Sequence, residues 1–149
     1  MSLKETLLHK CKDFVNERKH HLDEQMEAIK IALLEESKSS AGDKHETGRA
    51  MLQLEREKIS SQYQSVNDMF ETLGKINLSG NSNMAHLGSI VFTTKANYFI
   101  AIGAGELKIK DETFYAISPS TPMGRLLVFK TEGDEVFFRD QKFVIDKIV

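Results

Sequence analysis

Ser37-Lys38-Ser39-Ser40-Ala41-Gly42-Asp43-Lys44-His45-Glu46-Thr47-Gly48-Arg49-Ala50 is a small, polar break between two long segments of helical character. Upstream of it Leu8, Val15, Leu22 and Ile29 recur every seven residues, and downstream Leu52, Ile59, Val66 and Leu73 do the same. A seven-residue apolar repeat is the seam of a packed helix pair. If the segments fold back antiparallel, residues at one level carry numbers with a constant sum. Leu8 with Leu73, Val15 with Val66, Leu22 with Ile59 and Ile29 with Leu52 all give 81. The fold-back therefore falls between Ser40 and Ala41, just before Gly42, where side chains are small and helix propensity is low.

Working outward, the first helix is expected from Leu3 to Lys38, roughly 54 Å at 1.5 Å per residue. That length exceeds what a compact bundle of this size needs, and its outer face carries Glu17, Arg18, Asp23, Glu24, Glu27 and Lys30, as a solvated hairpin does. The second helix is expected from Lys44 to Lys75, with Met69, Phe70 and Ile76 thickening its apolar face towards the base. Leu78 to His86, centred on Ser79-Gly80-Asn81-Ser82-Asn83, lacks periodicity and reads as a linker. The division is thus a hairpin over 1–77, a linker over 78–86 and a second domain over 87–149.

From Leu87 the pattern changes. Gly88–Thr94, Asn97–Ile102, Glu106–Ile109, Thr113–Ile117, Glu135–Phe138 and Lys142–Ile148 are short, rich in β-branched and aromatic residues, and separated by turn residues, which predicts an antiparallel sheet. Pro122 to Leu127 predicts one short helix, capped by Thr121 with Pro122 at its first position. Gly133-Asp134 reads as the turn into the last hairpin. The fold class is α+β: a two-helix antiparallel coiled coil followed by a small sheet domain with one helix.

Composition narrows the function. Forty per cent apolar and 28% charged residues suit a soluble chain, and no apolar run approaches the roughly 18 residues that span a bilayer. The start lacks the uninterrupted apolar core of a signal peptide, so a cytoplasmic protein without membrane attachment is expected. The single Cys11 excludes an internal disulfide and a cysteine-based zinc site, and reads as a small filler beside the seam. Residues 1–86 carry 12 Lys and Arg against 14 Asp and Glu, and residues 87–149 carry 8 against 8. Neither part has the basic excess that drives phosphate-backbone binding, so nucleic acid is expected to be met only through another protein.

Two motifs carry a resemblance. One is Gly42-Asp43-Lys44-His45-Glu46 at the fold-back; the other runs Ile117-Ser118-Pro119-Ser120-Thr121-Pro122-Met123-Gly124-Arg125-Leu126-Leu127, followed by Lys130-Thr131-Glu132-Gly133-Asp134-Glu135-Val136. In order, separation and architecture the chain resembles the bacterial Gre transcript-cleavage factors, over most of its length. The resemblance implies an FKBP-like fold for the second domain and RNA polymerase as partner. It further implies a hairpin inserted into the polymerase secondary channel, and cleavage of backtracked RNA with a Mg²⁺ shared with the polymerase. Asp43 and Glu46 match the family's two tip acids, and Arg49 with Ser118, Pro119 and Pro122 stand where partner contacts fall. The factor is then an accessory part rather than an enzyme, expected as a monomer.

Other readings of the same residues stand beside these. Asp at a helix N-cap with Glu three residues later is also a capping box, favoured by the helix dipole. His45 is read as a solvent-facing tip residue or a third ligand. Where Gre factors continue with Asn-Ala-Glu-Tyr, this chain has Thr47-Gly48-Arg49-Ala50, losing an acid and an aromatic and gaining a cation. A Gre-like channel regulator without cleavage, or a coiled-coil adaptor without polymerase contact, are the alternatives. An FKBP-like fold alone does not establish isomerase activity. Ser118, Ser120 and Thr121 read as turn and cap residues, since no histidine lies between Leu87 and Val149 to activate them. Phe99, Tyr115, Met123 and Phe129 are candidates for an exposed docking surface, although at these spacings most of them read as core.

Overall fold

The structure, a computed structural model, describes residues 1–38, 42–80 and 82–149, with the side chains of 42–45 outside the description. Helix α1 spans Leu3–Lys38 and α2 spans Gly42–Gly74. The second helix thus begins two residues before the expected Lys44, and the expected turn centre at Ser40 and Ala41 lies outside the described residues. The first helix opens on a capping box: Glu5 N–H donates to Ser2 Oγ at 3.1 Å, and Ser2 N–H donates to the Glu5 carboxylate at 3.2 Å.

The chain divides into two compact units, Val15–Met69 and Met1–Phe14 with Phe70–Val149. In the first, the heptad seam is buried at Val15, Leu22, Ile29, Ile59 and Val66, while Leu52 is half-buried. Two cross-helix bonds fix the antiparallel sense. The Tyr63 hydroxyl donates to Asp23 Oδ1 at 2.5 Å, and Arg49 Nη1 donates to Ser37 Oγ at 2.8 Å. Moving 14 residues forward on one arm moves 14 back on the other, which only a hairpin allows.

The second unit holds the base of the hairpin, where Leu7, Leu8, Cys11 and Leu73 are buried, together with a six-stranded sheet. Its strands are β1 Ile90–Thr93, β2 Asn97–Ile100, β3 Gly105–Ile109, β4 Glu112–Ile117, β5 Glu135–Phe138 and β6 Gln141–Ile148, in spatial order β3-β4-β2-β1-β6-β5. All neighbours pair antiparallel except β2 and β4. The sheet is thus antiparallel as expected, with this one parallel pair inside it. Strand β3 lies outside β4 as its hairpin partner, so β4 returns beside β2 running the same way.

Helix α3, Pro122–Leu127, has the predicted bounds and lays Leu127 into a core of Val91, Ile100, Val136, Phe143 and Ile145. Ala85, within the stretch read as a linker, is fully buried in the same core. Its backbone donates to the Lys130 carbonyl at 2.8 Å and accepts from Phe129 N–H at 2.7 Å.

Candidate functional site

At the start of α2, Glu46 is exposed. The Asp43 and His45 side chains lie outside the described residues. Gly48 follows, and a Cβ there would stand 2.8 Å from Glu36 Oε1, so glycine lets that carboxylate lie close over the α2 backbone. Arg49, exposed one turn further on, is held across the hairpin by its bond to Ser37. Ala32, Gly48, Met51, Leu52 and Leu54 floor an open groove of about 800 Å³ between the arms, rimmed by Glu35, Glu36, Glu55 and Lys58. Met51 and Leu54 are 64% and 66% exposed, unlike the charged outer positions of mid-hairpin.

A hard cation such as Mg²⁺ takes about six oxygen ligands. Among the described residues no three His, Cys, Asp or Glu side chains are grouped to hold an ion. Glu46 is one outward-facing carboxylate.

The second motif forms a tight turn. Thr121 Oγ1 donates to the Ser118 carbonyl at 2.8 Å and accepts Gly124 N–H at 3.1 Å, capping α3, while Ser118 and Ser120 hydroxyls meet at 2.8 Å. A Cβ on Gly124 would stand 2.1 Å from the Ser118 carbonyl oxygen, so only glycine permits this turn to fold against the helix. Ser118 and Pro119 are half-buried and Pro122 is exposed. Of the aromatic candidates, Phe99 is fully buried and belongs to the core: its strand is central, and the side chain faces inward. Phe129, by contrast, is 72% exposed and Tyr115 39%.

His86 stands immediately before Leu87, and Ser89 Oγ lies 3.1 Å from its Nδ1. The geometry is structural. Ser89 is fully buried and accepts His86 N–H at 3.0 Å, while His86 Nδ1 is also 3.0 Å from the Met84 carbonyl, to which only a protonated Nδ1 can bond. A nitrogen that donates there is no base towards serine.

No family model matches the chain, and no curated protein matches it. Among solved structures, the crystal structure of Thermus aquaticus Gfh1 is similar over 87% of this chain and 92% of its own, at 18% identity and a TM-score of 0.34. A structure of the transcription factor Gfh1 is similar over 97% of this chain and 90% of its own, at 20% identity and a TM-score of 0.35. So loose a superposition decides nothing about function.

Proposed function

We propose that this chain is a Gre-like accessory factor of RNA polymerase, which places the end of its hairpin in the secondary channel and stimulates cleavage of backtracked RNA. The observation that carries the reading is an acidic first turn, Asp43 to Glu46, opening the second arm of a hairpin whose arms are 36 and 33 residues long. The Ser118–Gly124 turn and helix supports it, as the second element of the Gre resemblance.

In this reading the sheet domain docks on the polymerase through Ser118, Pro119 and Pro122. Arg49 contacts polymerase or RNA in the channel. Asp43 and Glu46 present carboxylate oxygens near the reacting phosphodiester and orient the attacking water. A second Mg²⁺, when bound between them and the polymerase, supplies charge to the attacking and leaving oxygens. The factor is not itself an enzyme, reaches nucleic acid only within that complex, and works as a cytoplasmic protein.

Arg49 favours a second reading. A cation anchored to Ser37 stands where Gre factors carry an acid, which opposes metal binding at the tip and suits a channel occupant that regulates without cleaving.

The test is RNA cleavage in a backtracked elongation complex assembled with the polymerase of the same organism, with and without the protein and Mg²⁺. Acceleration is expected, and Asp43→Ala with Glu46→Ala should reduce it by on the order of 100-fold or more with polymerase binding nearly intact. Undiminished cleavage by the double variant removes the tip from the mechanism. Binding without acceleration selects the second reading, and absence of binding excludes both.

A further inference from the structure

Strand β3 is one edge of the sheet, and among the described residues no hydrogen bond is made to its outer side. Its register with β4 decides which groups look outward. Ile109 and Glu112 close the two-residue turn Lys110-Asp111, so they are a hydrogen-bonded pair, and bonded and non-bonded pairs alternate from there. Gly105, Leu107 and Ile109 therefore direct their backbone groups to β4. The N–H and C=O groups of Glu106 and Lys108 face away from it. The pairing runs without a bulge and the strand holds no proline, so two common devices that blunt an exposed edge are missing.

A third device, edge charge, is present but cancels itself. Glu106 and Lys108 are exposed on one face, where their side chains meet at 3.5 Å. Leu107, between them, lies half-buried on the other face. A second copy laid antiparallel along β3, with a two-fold axis through Leu107, sets Glu106 opposite the second copy's Lys108, and Lys108 opposite its Glu106. These are the positions whose backbone groups look outward, so each such pair exchanges both of its N–H···O bonds. On the charged face the side chains alternate in sign around a ring, each carboxylate beside two ammonium groups. On the other face the Leu107 side chains of both copies meet as a non-hydrogen-bonded pair, the closer kind, and cover each other.

Moving the axis by one residue destroys the match. Centred on Glu106 it sets glutamate against glutamate, and centred on Lys108 it sets lysine against lysine. Beyond the strand nothing crowds the approach. Lys110 and Asp111 of one copy would pass Ala104 and Gly103 of the other, and a Cβ added at Gly103 or Gly105 would meet no atom within 4 Å beyond its chain neighbours. The opposite edge, β5, lacks this property. Counted from its turn Arg139-Asp140, Glu135 and Phe137 face outward, and a two-fold axis through Val136 would set a carboxylate against an exposed phenyl ring.

We propose that β3 is a self-recognition edge, through which two copies of this chain join their sheets into an antiparallel, two-fold symmetric dimer. The contact covers one strand of 5 residues, well short of a standard interface, so the dimer is reversible and depends on concentration. It does not rest on the polymerase reading, and it departs from the monomer that the Gre resemblance implies.

The experiment combines sedimentation of the full chain, from micromolar to millimolar concentration, with amide hydrogen exchange read by NMR. The sedimenting mass should rise from one copy towards two. Over the same range exchange at Glu106 and Lys108 should slow, while Leu107 and Ile109, bonded to β4 throughout, should not change. Glu106→Lys and Lys108→Glu each set like charges opposite one another, and each should weaken self-association by roughly tenfold or more. Both residues are exposed, so these variants should melt close to the wild type. The chain carrying both changes restores the alternation and should dimerise again, as should an equimolar mixture of the two single variants. A chain that stays single at millimolar concentration overturns the proposal and leaves the edge to a strand of another protein. Dimers that form with Glu106 and Lys108 exchange unchanged, or that persist undiminished in both single variants, use another surface and overturn it equally.

Discussion

Phe129 carries two penalties at once. Its φ of +71° places a bulky side chain in the left-handed region, where only glycine sits without strain, and its ring is 72% exposed. Phe129→Gly should therefore stabilise the chain by about 1 kcal/mol, read as a higher denaturant midpoint at unchanged slope. Gly124→Ala is the opposite case. Its Cβ would meet backbone, not a movable side chain, so a loss of about 3 kcal/mol is expected, with the turn before α3 disordered first. Burial pushes the Cys11 thiol up to about 12, so alkylation should be negligible in the native protein and appear only with unfolding. The sequence showed these residues unequally. Ser2 with Glu5 is a legible Ser-x-x-Glu capping box. The backbone of Phe129 was not legible, because phenylalanine carries no turn preference that would announce it. The function of Asp43 and Glu46 was not legible either, since one spacing serves both helix capping and metal binding.

At the scale of the element, the hairpin arms are joined by the Tyr63 to Asp23 hydrogen bond, with Lys19 3.2 Å from the same carboxylate. The Tyr63 bond, then Lys19, holds the Asp23 carboxyl below the ordinary 3.8, and the same bond pushes Tyr63 from 10.0 to about 12. The depressed carboxyl contributes stability present above its unfolded value and lost as pH falls through the folded one. The raised phenol contributes stability present below pH 10.0 and lost as pH rises towards about 12. In Tyr63→Phe the Asp23 carboxyl should titrate closer to its ordinary value, measured by NMR, and the alkaline loss should shrink. Both effects are exposed and should weaken with salt. The bounds of α1 and α3 follow from local signals, the seven-residue repeat and the Thr121-Pro122 start. The parallel pairing of β2 with β4 does not, because each strand's pattern records which faces are buried and not which neighbour lies alongside.

At the scale of the whole molecule, the two units differ in what protects them. The arms over Val15–Met69 bury one seam and expose their outer faces, whereas Phe99, Ile100 and Phe114 are fully enclosed by the sheet unit. Native-state hydrogen exchange should accordingly release amides of the distal arms before those three residues, and equal protection would show one cooperative block. The place of β1 in the sheet has a further result. It lies between β2, which follows it directly, and β6, which is made some fifty residues later and is joined to it through the Val91 and Ile148 pairing. On the ribosome the helical hairpin is complete and can zip while the nascent sheet still lacks the strand beside its centre. Until residues 141–148 have left the exit tunnel, one edge of β1 stands open, so vectorial synthesis completes the sheet only after the hairpin and exposes an unpaired strand edge in the interval.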